Sequence, residues 1–143
     1  MRTYNYSFEN GRKKVIEMSD DDDENVAIFM TSGPATPQRC ATPFYMASVA
    51  AAMDCEVKMV FQIDGVLLMV KGVADDLYAT EGGKLVIDFI RDAKEADVEM
   101  YVCSAALQLH GITEDDLIDE CDGVVGAAWM TEAGLEAEML LMY

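Results

Sequence analysis

Strand-like and helix-like hydrophobic patterns alternate along the chain from Asn25 onward. Continuous apolar runs such as "NVAIFMT" and "CEVKMVFQI" are typical of strands that are buried on both faces of a sheet. "VEMYVC", "GVVGAAWM" and "MLLMY" have the same character. The pattern therefore predicts five strands, at residues 25–31, 55–63, 98–103, 123–130 and 139–143.

Helical signals lie between these strands. Thr42 and Pro43 supply an N-cap and a first-turn proline for a helix that runs to about Met53. The segment 84–96 carries an apolar stripe on one face, as an amphipathic helix does. Shorter helices are predicted at 66–72, at 104–110, after Thr113 and at 131–138. This alternation indicates an α/β fold, a mainly parallel five-stranded sheet with helices on both faces.

Residues 1–24 differ from this alternating core. "YNYSF" alternates only weakly, "KKVIEM" has the character of a short edge strand, and "SDDDDEN" is a charge run. Four adjacent Asp lack the spacing and the glycine of a calcium loop, so a solvated linker is the better interpretation. We expect a flexible acidic N-terminal appendage at 1–24 and one domain at 25–143.

The net charge of −17 narrows the range of partners. Residues 1–25 account for only −3 of it, so the domain itself is strongly acidic. Such a surface repels phosphate backbones and anionic lipid, which argues against nucleic-acid and membrane binding. The N-terminus has no apolar export segment, so we expect a cytoplasmic protein with reduced thiols.

Cys103 stands where the strand of "VEMYVCSAALQLHGI" passes directly into a helix that Gly111 ends. A helix N-terminus carries about half a positive charge and free N–H groups. A thiolate at this position gains both charge stabilisation and hydrogen bonds. Cys103 is therefore the candidate catalytic residue.

In such folds the functional groups collect outside the carboxyl ends of the strands. Besides Cys103, this edge should hold four possible supporting residues: Ser104, Asp64, Trp129 and, in the loop 32–41, Cys40. Cys55 and Cys121 precede their strands and should lie at the opposite edge, as buried small apolar residues. No cysteine pair has the C-x-x-C spacing, and one His cannot complete a zinc set, so no metal site is expected.

His110 is the one histidine that could act as a base for Cys103 in a Cys–His dyad. Seven helical residues span about 10 Å, beyond hydrogen-bond reach of Cys103. A position just before Gly111 instead fits a helix C-terminus, where a cation meets the negative end of the dipole. We therefore do not expect a Cys–His dyad within one subunit.

The stretch "MYVCSAALQLHGITEDDLIDECDGVVGAAWM" resembles the DsrE/DsrF-like sulfur-relay family, including its peroxiredoxin-like branch. The resemblance lies in the strand-end Cys103, the "GI" at 111–112, the acidic "DLID" at 116–119 and the small-residue "GAA" at 126–128. Upstream, "YMASVAAAMDCEVKMVFQIDGVLLMVKG" is similar to the family's first helix, second strand and "DG" turn. "LHG" stands where sulfur-relay members often carry "RRG", so donor or acceptor recognition is expected to differ.

The resemblance implies a flavodoxin-like fold and a sulfur carrier or sulfurtransferase. Cys103 would accept sulfane sulfur as a persulfide and pass it to the thiol of a partner protein. It also implies a homotrimer or homohexamer, with no cofactor. Persulfide transfer needs a nucleophilic thiolate and a leaving thiolate, and a helix N-terminus stabilises either.

The helix from Pro43 to Met53 independently favours self-association. It is apolar nearly all round, and leaving its second face in water would expose a patch that soluble monomers rarely tolerate. We therefore expect this helix at or near a subunit contact.

Three other functions fit the same residues. A redox protein would use Cys40 to resolve Cys103, which needs their Cα atoms within about 7 Å. A nucleotide or flavin binder would use the hydroxyl-rich loop "TSGPATP", although this loop lacks the GK[ST] of a P-loop. In a non-catalytic scaffold protein, Cys103 would be only a packed residue of the core.

Overall fold

The computed structural model describes residues 4–9, 12–17 and 24–143. Its centre is a five-stranded parallel sheet with the order β6-β5-β4-β3-β7. The strands are β3 (Asn25–Met30), β4 (Glu56–Phe61), β5 (Glu99–Cys103), β6 (Gly123–Val125) and β7 (Met139–Met142). The predicted α/β class and five-stranded parallel sheet are confirmed.

Four α-helices connect these strands: α1 (Thr42–Ala52), α2 (Val86–Glu95), α3 (Ser104–His110) and α4 (Ala127–Glu136). Short 3-10 helices lie at Pro37–Arg39, Ile63–Met69, Ala74–Asp76 and Glu114–Asp116. Three successive crossovers move in one direction across the sheet, from β3 to β6, and α4 returns to β7 at the other edge.

Ring contacts show that the helices cover both faces. Phe44 of α1 stacks on Phe61 of β4, with ring centroids 5.8 Å apart. Phe61 pairs with Val102, so the neighbouring Tyr101 points to the other face, where its ring meets Trp129 of α4. Because right-handed crossovers in opposite directions fall on opposite faces, α1 and α4 must lie on different sides of the sheet.

Two predicted helices are 3-10 rather than α. The segment after Thr113 forms a 3-10 turn at Glu114–Asp116 with a capping box between Thr113 and Asp116, and it is not helical as far as Cys121. Leu117 and Ile118 are buried, and the Ile118 N–H donates to the Met69 carbonyl at 2.9 Å. Likewise, residues 63–69 are 3-10 rather than α. Pairing between these two segments has overridden their helical propensity.

Two boundaries also differ from prediction. The fourth strand ends at Val125, and Ala127–Met130, predicted as strand, form the first turn of α4. Ala, Trp and Met fit a buried strand or a helix equally well, so periodicity could not separate them. Thr42 is the first residue of α1 rather than its N-cap, which is Ala41.

The N-terminal appendage contains an antiparallel hairpin, β1 (Tyr4–Glu9) and β2 (Arg12–Glu17). This hairpin forms a sheet of its own, separate from the five-stranded one. The predicted strand "KKVIEM" falls within β2 except for Met18. The acidic run at 20–23 lies outside the described residues.

Candidate functional site

Cys103 is both the last residue of β5 and the N-cap of α3. Its backbone is extended, with φ −74° and ψ 124°, and Ser104 begins the helix without an intervening loop. Gly111 ends α3 in the left-handed conformation, at φ 64°, which an L side chain rarely adopts. The direct strand-to-helix join is confirmed, and the role of Cys103 in catalysis stays a prediction.

The register of the sheet identifies the neighbours of Cys103. Phe61, the last residue of β4, pairs with Val102, so Gln62 directly after β4 comes alongside Cys103. On the other side, Val125 of β6 pairs with Cys103. Side chains alternate along a strand, so Cys103 shares a face with Tyr101. Cys103 is thus bracketed by Gln62, Val125 and Tyr101.

The first turn of α4 passes over this position. The ring of Trp129 lies 4.6 Å from that of Tyr101, centroid to centroid. The amide Nε2 of Gln62 donates to Sδ of Met130 at 3.5 Å. Because consecutive residues of α4 contact the residues on two sides of Cys103, the thiol lies beneath this turn, and it is only 8% exposed.

Cys103 is the N-cap of α3, and α4 begins two residues after Val125, the strand partner of Cys103. Neither α3 nor α4 has an acidic residue in its first turn, although the chain carries 27 Asp and Glu. The N-cap of α4, Gly126, has no side chain to occupy the free N–H groups. Among the described residues, Cys103 Sγ has no hydrogen-bond partner either. The positive ends of both helices are thus available to a negative charge on sulfur.

Backbone contacts hold Gln62 in place. Its N–H donates to the carbonyl of Met30 at 2.8 Å. A Cβ on Gly65 would collide with that same carbonyl, and a Cβ on Gly33 would collide with the carbonyl of Asp64. Glycine at these two positions lets the loops after β3 and β4 touch backbone to backbone. Next to Gln62, Ile63 has a positive φ of 51°, a strained conformation for a β-branched residue.

The other three thiols differ from Cys103. Burial raises the pKa of Cys40 to about 11, against a smaller lowering by Arg39, and its thiol donates to the Gly33 carbonyl at 3.3 Å. Burial is also the main cause that raises the pKa values of Cys55 and Cys121. Cys55 and Cys121 precede β4 and β6, at the edge predicted for them, but they are half-buried rather than buried as expected. All four cysteines are free thiols.

The structure brings together only some of the predicted supporting residues. Ser104 adjoins Cys103 and is half-buried, and Trp129 reaches the site from α4 rather than from a strand. Asp64 lies instead at the far end of α3, where its Oδ1 is 3.3 Å from Nε2 of His110. Cys40 is fully buried in its own loop, where its thiol donates a hydrogen bond to a backbone carbonyl.

His110 therefore has a partner that the sequence did not suggest. Besides Asp64, its Nε2 lies 3.2 Å from the carbonyl oxygen of Ile63. His110 is the last residue of α3, so these contacts tie the C-terminus of that helix to the loop after β4. They leave the imidazole engaged away from Cys103.

Sequence reasoning missed Gln62 and Tyr101, whereas it placed Met130 with Trp129 at this edge. Gln62 had a signal, since it is a polar residue directly after an apolar strand, at the edge where functional groups collect. Tyr101 had none, because it belongs to a run of apolar residues.

Two other features of the described residues bear on possible chemistry. They contain no group of three or more His, Cys, Asp or Glu side chains placed to hold a metal ion. None of the helices in this part of the chain is long and apolar enough to cross a bilayer.

Comparison with known proteins identifies solved structures with a similar fold. Two solved structures are similar, the YchN protein from E. coli and the protein of unknown function MTH1491 from Methanobacterium thermoautotrophicum. The YchN structure has a TM-score of 0.70 at 14% identity, covering 84% of this chain and 99% of that one. The MTH1491 structure has a TM-score of 0.55 at 15% identity, covering 85% and 100%.

At these identities the likeness establishes the fold. No curated protein matches the chain. The family description "DsrE/DsrF-like family" matches residues 24–139, the whole core from the start of β3 to the start of β7 and the Cys103 site within it. The chain therefore belongs to the DsrE/DsrF-like family.

Proposed function

We propose that this protein is a cytoplasmic sulfur carrier that accepts sulfane sulfur on Cys103 and passes it to the thiol of a partner protein. The observation that carries the proposal is the placement of Cys103 at a strand-to-helix join, beside the first turn of a second helix, with no hydrogen-bond partner for its thiol among the described residues. Membership of a family associated with sulfur relay supports the same chemistry.

The loading step is a thiol exchange. The thiolate of Cys103 attacks the terminal sulfur of a donor persulfide, R–S–S⁻. A bond forms between that sulfur and Sγ, the donor's S–S bond breaks, and the donor leaves as the thiolate R–S⁻. No net oxidation occurs, and the product is a persulfide anion on Cys103. In the second step an acceptor thiolate attacks the outer sulfur, and Cys103 leaves as a thiolate.

Three features stabilise the negative sulfur in both steps. The N-termini of α3 and α4 supply partial positive charge and free N–H groups. Gln62 supplies an amide with two donors, of which one is engaged by Met130. The half-buried rings of Tyr101 and Trp129 reduce the access of water, which strengthens these interactions.

The redox alternative has less support from the geometry. A resolving cysteine must reach the sulfur of Cys103. Cys40, in contrast, is fully buried, and its thiol is hydrogen-bonded to the backbone of its own loop. Its raised pKa also keeps it protonated at neutral pH, so it is a poor attacking thiol.

We also propose that the chain assembles with itself through the outer face of α1. Tyr45 and Val49 are exposed on this helix, and so is Met53, its C-cap; the helix contains no charged residue from end to end. Phe44 and Ala47 are buried against the sheet, so the apolar outer face is left over after the core is complete. The homotrimer or homohexamer of the family resemblance is the proposed product, and donor and acceptor proteins are the transient partners.

Intact mass after exposure to a persulfide donor tests the sulfur chemistry. We expect a gain of one sulfur atom that dithiothreitol removes. Cys103→Ser should abolish the gain, and Cys40→Ser, Cys55→Ser and Cys121→Ser should keep it. Loading that survives in Cys103→Ser, or that requires Cys40, would contradict the proposal.

A further inference from the structure

His110 takes no part in the sulfur chemistry proposed above, yet the structure holds it in a defined place. It is the last residue of α3, the helix whose N-cap is Cys103. Its Nε2 lies 3.2 Å from the carbonyl oxygen of Ile63 and 3.3 Å from Oδ1 of Asp64. Ile63 and Asp64 directly follow Gln62, the residue that comes alongside Cys103. His110 therefore joins the helix of Cys103 to the segment of Gln62.

The two neighbours of Nε2 determine which ring nitrogen of His110 carries the hydrogen. A backbone carbonyl and a carboxylate accept hydrogen bonds and donate none. In the neutral imidazole the hydrogen is therefore on Nε2, and Nδ1 is the bare nitrogen. The Nε2–H donates to the Ile63 carbonyl, with the carboxylate of Asp64 as a second acceptor. His110 is thus a hydrogen-bond donor to the backbone of another segment.

The backbone of Ile63 needs a restraint from outside its own segment. Its φ is 51°, a conformation that a β-branched residue rarely adopts. A residue in such a conformation persists only where its surroundings hold it there. The side chain of Ile63 is 53% exposed, so packing around that side chain supplies little of the restraint. The hydrogen bond from His110, which is 47 residues away along the chain, holds the carbonyl instead.

The conformation of Ile63 sets the position of Gln62. Gln62 is extended, with φ −122° and ψ 161°, and the chain turns at Ile63 into the 3-10 helix that follows. The amide of Gln62 makes one side-chain contact among the described residues, a weak hydrogen bond to Sδ of Met130 at 3.5 Å. Relaxation of Ile63 to a negative φ would therefore redirect the chain and move the Gln62 amide away from Cys103.

We propose that His110 is a positioning residue for sulfur loading, because its hydrogen bond to the Ile63 carbonyl keeps the Gln62 amide beside the sulfur of Cys103. The inference rests on the proposed function. Cys103 and His110 stand at the two ends of α3, about 10 Å apart, so His110 acts on the sulfur only through Gln62. The hydrogen bond closes a ring that runs along α3, through Ile63 to Gln62 and back to Cys103 across the sheet.

Two substitutions of His110 test the proposal by single-turnover loading. His110→Leu removes the donor and should slow loading by up to the roughly tenfold expected for Gln62→Leu. His110→Gln keeps an N–H donor at the same number of bonds from Cα, so it should restore a rate close to that of the wild type. Leu and Gln have similar helix propensities, so the two variants differ chiefly in this hydrogen bond. Leu109→Ala is the control, since Leu109 is 68% exposed, and its rate should be unchanged.

A double-mutant cycle separates positioning from a general weakening of the fold. Because His110 acts through Gln62, adding His110→Leu to Gln62→Leu should slow loading no further. A purely structural effect would instead be the same in both backgrounds, and that result would overturn the proposal. A wild-type rate in folded His110→Leu, or a rate in His110→Gln as slow as in His110→Leu, would also overturn it.

Hydrogen exchange gives a readout that does not depend on sulfur. The N–H of Gly65 donates to the Gln62 carbonyl at 2.8 Å, so its exchange reports on this turn. In His110→Leu the Gly65 amide should exchange faster, while the amides of β4 stay as slow as in the wild type. Unchanged exchange at Gly65 would contradict the positioning role. A wild-type protein that takes up no sulfur would refute the proposed function, and the exchange result would still decide whether His110 positions Gln62.

Discussion

The ring of Trp129 lies 4.6 Å from the ring of Tyr101, tilted by 55°. Tyr101 precedes Cys103 by two residues on the same face of β5, so this contact holds the first turn of α4 above the thiol. Trp129 is the one tryptophan of the chain, which makes its fluorescence a direct probe of the site.

The four thiols should differ in reactivity at neutral pH. We expect iodoacetamide to modify Cys103 first, because the pKa values of Cys40, Cys55 and Cys121 are all raised, mainly by burial. Peptide mapping over a time course measures the order. Trp129 fluorescence should change in step with the modification of Cys103, and a faster reaction at Cys40 or Cys55 would contradict the assignment.

Gln62 should contribute to sulfur loading. Gln62→Leu removes an amide donor from the neighbour of Cys103, and a hydrogen bond to a charged group is worth about 1.5–3 kcal/mol, so loading should slow roughly tenfold or more. Gln62→Glu places a carboxylate beside the anionic sulfur and should slow it further.

Gln108→Leu is the matched control for Gln62, since Gln108 is exposed on α3, and its loading rate should equal that of the wild type. Single-turnover loading followed by intact mass measures all three variants. An unchanged rate in folded Gln62→Leu would show that this amide takes no part.

Tyr101 should make stability fall at alkaline pH. The hydrogen bond to Glu99 is the largest cause that raises its pKa, from 10.0 to about 12. A group whose pKa is raised on folding stabilises the protein fully below the unfolded value and loses that effect as the pH rises through the folded value. Stability should therefore decrease between pH about 10 and about 12.

Tyr101→Phe should reduce this alkaline decrease and leave a smaller one, since Cys40, whose pKa rises from 9.0 to about 11, acts in the same direction. Urea titrations at several pH values measure the difference. Identical profiles for Tyr101→Phe and the wild type would contradict the prediction.

Gly65 should tolerate no side chain. In Gly65→Ala the Cβ collides with the Met30 carbonyl, and overpacking of this kind costs roughly 1–3 kcal/mol of the free energy of unfolding. Gly134→Ala is the matched control, because its Cβ would lie 3.6 Å from Phe29 in ordinary contact and alanine favours the helix. Gly134→Ala should stabilise, by up to about 1 kcal/mol, and equal effects at the two glycines would contradict this account.

The core should fold without the N-terminal appendage. Deleting residues 1–23 removes β1 and β2, which lie outside the five-stranded sheet, and keeps Glu24, whose carbonyl accepts from the Glu56 N–H at 3.0 Å. The melting temperature and persulfide loading should stay close to those of the full chain. A large drop in the melting temperature would show that the hairpin stabilises the core.

The sequence alone was sufficient for the parallel sheet and for the Cys103 join. Apolar runs such as 25–31 are strong local signals for buried strands, and the pattern from Cys103 to Gly111 contains both the start and the stop of a helix. These features depend on residues that are adjacent in the chain, so they can be recognised from local pattern.

The surroundings of Cys103 depended on the tertiary structure. Gln62, Tyr101 and Met130 meet there because the register places β4 beside β5 and because the crossover from β6 to β7 carries α4 across that face. The stretch 127–130 was compatible with strand or helix, and only its place above Tyr101 decided between them. Periodicity shows which side of a segment is buried, whereas the neighbours of a side chain are set by pairing between residues far apart in sequence.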